Sequence, residues 1–396
     1  MTDDRFRRIL VVCTRQIGDV LLTTPLIDGA KRRWPDARVD VLGFSGTLGI
    51  LRGNPQIDEL IEVQAGSGWL QSLSLVRRLW RRYDLALIAQ YSDRAHLYGA
   101  VAARRRSGLV PAQRATSWWK RLLLEHAVEI GEERTHAVIE KLEMLAPWTA
   151  PADAVRVCPP AGRDLPASVA VALPESYVVI HVPTLVRYKQ WPIGHHVALV
   201  KGLLADGRAV VLSGGPSDAD RARTAEVLQG VGPVGDGRLL DLAGALDLGQ
   251  MATLLRGAAL YIGPDTSITH LAAACGTPLV TLYGPVDPRI FGPWPQGHAP
   301  VQPYVKRARR QQPATAPGEG AIVLLQGDPA CVPCNQAGCE RHNDSRSDCL
   351  ETMLPQRVLA EVRARLAGIK ASPEEAVVDF PASRRRAAVD GGRASG

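Results

Sequence analysis

The chain has 396 residues, 46% of them hydrophobic, a length that predicts two domains and a composition sufficient for ordinary soluble cores. No apolar run approaches the roughly 20 residues that a membrane span needs. A formal net charge of +7 comes without any helix-turn-helix or RNA-binding signature, which sets nucleic acid aside as a partner.

The opening Met1–Arg8 leads straight into an apolar run at Ile9–Cys13. That run is too short for a signal peptide and lacks a small-residue cleavage site, so it predicts a buried first strand in a cytoplasmic protein. Helical spacing follows over Asp19–Trp34, with Val20, Leu21, Thr24 and Ile27 on the apolar face. Next come a strand at Val39–Gly43, a helix at Thr47–Arg52, a strand at Ile57–Val63, a helix at Trp69–Tyr83 and a strand at Leu85–Ala89. Alternating strands and helices imply a parallel sheet covered on both faces, an α/β fold. A proline-rich stretch between Pro147 and Pro174 reads as an interdomain linker.

The pattern restarts at Tyr177–His181 and continues through Ala209–Ser213, Leu260–Ile262 and Pro278–Tyr283, with helices between. Two doubly wound domains are therefore expected, at 1–165 and 175–370, facing across a cleft at the carboxyl ends of their strands. Polar Pro300–Gly320 reads as a mobile loop, Leu354–Lys370 as a last amphipathic helix, and 371–396 as a disordered tail. Basic clusters, Arg77–Arg82 and Arg104–Arg106 among them, are either solvated helix ends or an attraction to an anionic membrane or glycolipid. Trp118-Trp119-Lys120-Arg121 is either a membrane-interface contact or a buried pair.

Four strand-end segments carry candidate chemistry. In Gly263-Pro-Asp265-Thr266-Ser267, followed by His270, a strand meets a helix through good N-cap residues. Free N–H groups at such a helix start favour an anion, although a plain capped helix has the same pattern. After the first strand, Arg15-Gln-Ile-Gly18-Asp19 places a close-approach glycine beside a carboxylate, which is either a helix cap or a general base. After the first strand of the second domain, Thr184-Leu-Val-Arg187-Tyr-Lys189 offers cations to a diphosphate, or is an exposed basic loop. Ser213-Gly214-Gly215 is a further glycine turn. Separately, Cys331, Cys334, Cys339 and Cys349 lie within one short segment, a 328–350 insert. In a cytosolic chain they suit a structural zinc or iron, or are reduced free thiols.

In this order, Arg15-Gln-Ile-Gly-Asp-Val-Leu-Leu-Thr-Thr-Pro25, Tyr188-Lys-Gln-Trp-Pro192, Gly263-Pro-Asp-Thr-Ser267 with His270, and Leu282-Tyr-Gly-Pro285 resemble the ADP-heptose:lipopolysaccharide heptosyltransferase family. Ile290-Phe-Gly-Pro-Trp294 is most similar to its heptosyltransferase III branch. The resemblance implies a GT-B fold, two facing Rossmann-like domains with acceptor on the first and ADP-heptose on the second. It implies inverting transfer to the anionic inner core of lipopolysaccharide without a catalytic metal, at the inner face of the inner membrane. It matches Asp19 to the base, Lys189 to a phosphate contact, and Asp265, Thr266, Ser267 and His270 to the donor-site turn; Arg15 and Gly18, beside Asp19, are read on the acceptor side. Thr184, Arg187, Ser213, Gly214, Gly215, Asp265, Thr266, Ser267 and His270 fall on the donor side. Ser267 departs from the glycine of many relatives, and the Pro300–Gly327 insert has no counterpart among them. A protein acceptor, or a non-catalytic nucleotide-sugar binder, are the alternative readings.

Overall fold

The structure, a computed structural model, describes residues 6–64, 69–131 and 134–368; the expected tail at 371–396 lies outside them. Continuous apolar runs such as Arg8–Val12 and Tyr177–His181 are buried almost throughout, as parallel strands covered on both faces must be. The first sheet contains β1 (Arg8–Val12), β2 (Arg38–Phe44), β3 (Glu59–Val63), β4 (Tyr83–Ile88), β5 (Ala103–Pro111) and β6 (His126–Ile130). Its order is β3-β2-β1-β4-β5-β6, parallel throughout.

The second sheet contains β7 (Tyr177–His181), β8 (Ala209–Ser213), β9 (Leu239–Asp241), β10 (Leu260–Pro264), β11 (Leu279–Tyr283), β12 (Arg310–Gln311) and β13 (Ile322–Gln326). Its order is β12-β13-β11-β10-β7-β8-β9, parallel except for β12. Chain direction across each sheet reverses beside its first strand, between β1 and β4 and between β7 and β10. Open α/β sheets bind ligands at such switch points, beyond the carboxyl ends of the strands.

On one face of the first sheet the helices Trp69–Leu79, Asp93–Ala102 and Arg114–Leu123 lie side by side. Thr24–Arg33 and Ala137–Glu143 pack together on the other. That second face shares its core with the other half of the molecule, because Leu26, Ile27, Leu145, Met251, Leu271 and Trp294 belong to one buried cluster. The proline-rich stretch is pinned to the second half. Trp294 Nε1 donates to the Val155 carbonyl (3.0 Å) and Gln296 Nε2 to that of Val157 (2.7 Å).

Three expectations change. The Asp19–Trp34 helix is two helices, Ile17–Leu21 and Thr24–Arg33. The hydroxyls of Thr23 and Thr24 donate back to the carbonyls of Val20 (2.6 Å) and Leu21 (2.9 Å), and Pro25 cannot continue the ladder. Thr47–Arg52 contains only a 3₁₀ turn, Leu48–Leu51. Pro300–Gly320 is not loop throughout. It carries β12, and Gln311 bridges it internally, accepting from Val305 N and donating to Val305 O, both at 2.9 Å.

Candidate functional site

A cleft of about 1330 Å³ lies between the two sheets. Arg15, Gly18, Asp19, Thr184, Lys189, Gly214, Gly215, Asp265, Thr266, Ser267 and His270 all line it, so segments more than 240 residues apart in sequence meet there. Arg187 and Ser213 lie outside the lining. Arg187 is fixed through its backbone N–H to the Asn343 carbonyl (3.0 Å). Ser213 is buried with its Oγ 3.1 Å from His181 Nδ1, so it holds a lining histidine rather than facing the cleft.

On the first-sheet side, Asp19 lies on the short helix after β1, where burial of Val20 and Leu21 leaves its carboxylate at the cleft. Arg15 Nε is 3.3 Å from Asp19 Oδ1, and Arg15 also donates to Tyr91 Oη (3.4 Å). From beneath, buried Lys141 donates to the Asp19 carbonyl (3.0 Å). Burial pulls the pKa of Lys141 below its ordinary value, and Cys13 and Asp19 oppose that pull. No motif singled out Lys141; its Ile-Glu-Lys-Leu context reads as an ordinary helix face.

On the second-sheet side, Lys189 and Asp265 form an ion pair at 2.6 Å. Burial works against the Lys189 charge, but Asp265 outweighs it and raises the pKa. Tyr283 Oη donates to Asp265 Oδ1 (3.3 Å), which fixes the carboxylate at the end of β10. Thr266 caps the helix Ser267–Ala274, its Oγ1 accepting from Thr269 N (3.4 Å). The capped-helix reading therefore holds for the Thr266 hydroxyl, while Ser267 and Ile268 of the first turn line the cleft.

Two glycines make close approaches. A Cβ on Gly18 would meet His270 Cδ2 at 3.1 Å and the Ser267 Cα at 3.6 Å, so the helices from the two halves nearly touch. A Cβ on Gly215 would stand 2.3 Å from Asp220 Oδ2, which keeps that turn against the start of helix Asp218–Val231. His270 is buried, and Nδ1 has no protein partner among the described residues. Burial lowers its pKa, against the pull of Asp265 and Asp19.

The cysteine segment sits behind this wall. Cys331 and Cys339 are exposed, Cys334 is half-buried and Cys349 is buried. Burial pushes the Cys349 thiol up to about 12, and Cys334, Cys339 and Cys331 each add to the rise, so the sulfurs share one neighbourhood. Among the described residues, however, no group of three or more candidate ligands is gathered to hold a metal ion. The segment does brace the Lys189 turn: Ser347 Oγ donates to the Tyr188 carbonyl (2.7 Å), beside the Arg187–Asn343 contact.

Facing Rossmann-like sheets, with an acid on one wall and a lysine beside a helix start on the other, fit a glycosyltransferase of GT-B fold. The chain belongs to glycosyltransferase family 9, the heptosyltransferases, whose profile matches residues 72–312. It is 30% identical over 294 residues to lipopolysaccharide heptosyltransferase 3 of Escherichia coli, a match covering 70% of this chain and 83% of that protein. Its fold resembles that of E. coli ADP-heptose LPS heptosyltransferase II, with a TM-score of 0.66 at 22% identity, covering 91% of this chain and 99% of the other. It also resembles TibC of enterotoxigenic E. coli H10407, an iron-containing dodecameric glycosyltransferase, with a TM-score of 0.52 at 16% identity, covering 92% and 77%. No described helix is long and apolar enough to cross a membrane.

Proposed function

We propose that the protein transfers a heptose from ADP-heptose to a hydroxyl of the lipopolysaccharide inner core, with inversion and without a catalytic metal. The observation that carries this reading is the meeting of Asp19 with Lys189, Asp265 and the Thr266-capped helix across one cleft. Asp19 takes the proton of the acceptor hydroxyl as that oxygen bonds to the anomeric carbon. The bond from that carbon to the ADP oxygen breaks on the opposite face, and ADP leaves with the electron pair. Lys189 and the helix-start N–H groups balance the charge of the departing diphosphate. Arg15 and Gly18 border the acceptor, while Thr184, Gly214, Gly215, Asp265, Thr266, Ser267 and His270 border the donor. Arg187 and Ser213 act on the donor side through the loops that they fix. The similarity to a protein named lipopolysaccharide heptosyltransferase 3 supports both donor and acceptor.

The protein works on the cytoplasmic side, in peripheral contact with the inner membrane. The four cysteines share one neighbourhood, and a structural zinc or iron bound there would draw their sulfurs into a single ligand set with no open position. The decisive experiment is Asp19→Asn assayed with ADP-heptose and a lipopolysaccharide-core acceptor. Turnover is expected to fall by roughly 10²–10⁴-fold with ADP binding retained, as loss of a general base requires. Near-normal turnover would remove Asp19 from the mechanism.

A further inference from the structure

The three helices on the outer face of the first sheet do not bury their apolar residues completely. Trp80 follows the first of them and is 63% exposed; Leu97 on the second is 54% exposed; Trp118 and Leu122 on the third are 60% and 76% exposed. Leu73, also on the first, is exposed as well. These helices contact one another in sequence, so the five side chains share one face. Other exposed large hydrophobics among the described residues are Tyr91, Val171, Leu185, Val301, Val305 and Leu354.

The same stretch, residues 69–123, contains eleven Lys and Arg against two Asp and Glu, an excess larger than the +7 of the whole chain. Of these, Arg77, Arg81 and Arg114 are exposed on or beside the three helices, while Arg78, Arg105 and Arg121 pair with Glu59, Glu125 and Glu129. At Trp80 the two kinds of group touch: the Arg81 guanidinium lies 5.9 Å from its ring centroid. Trp119 itself turns inward onto His96, with ring centroids 6.2 Å apart, which leaves Trp118 and Leu122 as the outward pair. Tryptophan and leucine beside basic residues on a helix face match the headgroup boundary of an anionic bilayer.

This face is also wired to the cleft. Lys120 Nζ donates to the Tyr91 carbonyl (2.7 Å) and pairs with Asp93 (2.7 Å). The Tyr91 hydroxyl receives Arg15, which pairs with Asp19.

We propose that the face built by Trp69–Leu79, Asp93–Ala102 and Arg114–Leu123 docks on an anionic phospholipid bilayer, with Trp80, Leu97, Trp118 and Leu122 entering its headgroup boundary. The assignment deepens the proposed function, since a lipid-borne acceptor held at this surface reaches the cleft at Arg15. Its test does not depend on that function. Full-length protein is sedimented with vesicles of phosphatidylglycerol and phosphatidylcholine, and with vesicles of phosphatidylcholine alone.

Wild type is expected to bind the anionic vesicles, less so at high salt, and barely bind the neutral ones. The double variant Trp118→Ser, Leu122→Ser is expected to lose roughly ten-fold in vesicle affinity. Both side chains are exposed, so its Tm should stay close to wild type, and its turnover on a delipidated core oligosaccharide should be unchanged. Equal vesicle binding by the double variant and wild type would overturn the proposal. So would absence of wild-type binding to anionic vesicles, or a wild-type dimer that the double variant dissociates. Vesicle binding with no transfer to the oligosaccharide by either protein would instead count against the proposed function and leave the docking face standing.

Discussion

Gly18 sets how closely the two halves meet, because a methyl group there presses on His270 Cδ2 at 3.1 Å. Alanine would also favour the short helix by about 0.5–1 kcal/mol, so stability and activity should part company. Gly18→Ala is expected to leave Tm nearly unchanged while lowering kcat by roughly ten-fold, since small misplacements of reacting groups are costly. Differential scanning calorimetry beside steady-state kinetics checks both. Asp19, Lys189 and the Asp265–Ser267 turn were legible in the sequence because each sits where a strand ends at a switch point. Arg187 and Ser213 were assigned to the donor by neighbourhood, and their contacts to Asn343 and His181 depend on tertiary packing that no local pattern encodes. Lys141 was illegible for the opposite reason: its neighbours in sequence say helix, and only the fold carries its Nζ to Asp19.

At the scale of elements, the cysteine segment is the one whose role is most exposed to test. It fixes the start and the middle of the Arg187–Lys189 turn, through Asn343 to Arg187 and through Ser347 to Tyr188. A metal that stiffens it therefore stiffens the lysine opposite Asp19. Elemental analysis is expected to give about one zinc or iron per chain. Cys331→Ser with Cys334→Ser should remove it, lower Tm and raise KM for ADP-heptose by a few-fold to roughly ten-fold, with kcat less affected. Metal-free protein of wild-type stability would end that reading. Element recognition from sequence failed where polar residues are satisfied inside the fold. Strand β5 opens on Ala103-Arg-Arg-Arg-Ser107, and the basic run hid the apolar half that follows. The segment before Gly320 reads as a loop because it is polar, yet Gln311 is buried and its Nε2 donates to buried Gln326 Oε1 (3.0 Å).

Across the whole molecule, burial keeps several histidines neutral. It holds His136 and His196 at about 3 and His181 at about 4. The unfolded chain takes up these protons near 6.5, and the folded chain does so only below 4. Stability from this source is complete above about pH 6.5 and falls as the pH drops from there, by about 1.4 kcal/mol per pH unit for each such histidine. His196→Leu should flatten that slope and hold or raise Tm at neutral pH, because neither ring nitrogen has a protein hydrogen-bond partner among the described residues. Thermal melts between neutral pH and pH 5 measure it. The broad architecture was readable from alternating strand and helix patterns, whereas the sheet margins were not, and the margins have a consequence of their own. Beyond β13 (Ile322–Gln326), wholly buried and mostly aliphatic, an open amide row would invite a strand from another molecule. The two residues of β12 occupy part of that row running the opposite way, and the Arg310 side chain is tied to Glu361 at 2.8 Å. At the other margin β9 is only three residues long. The polar insert thus acts as a stopper, keeping a sheet of aliphatic strands from serving as a template for aggregation.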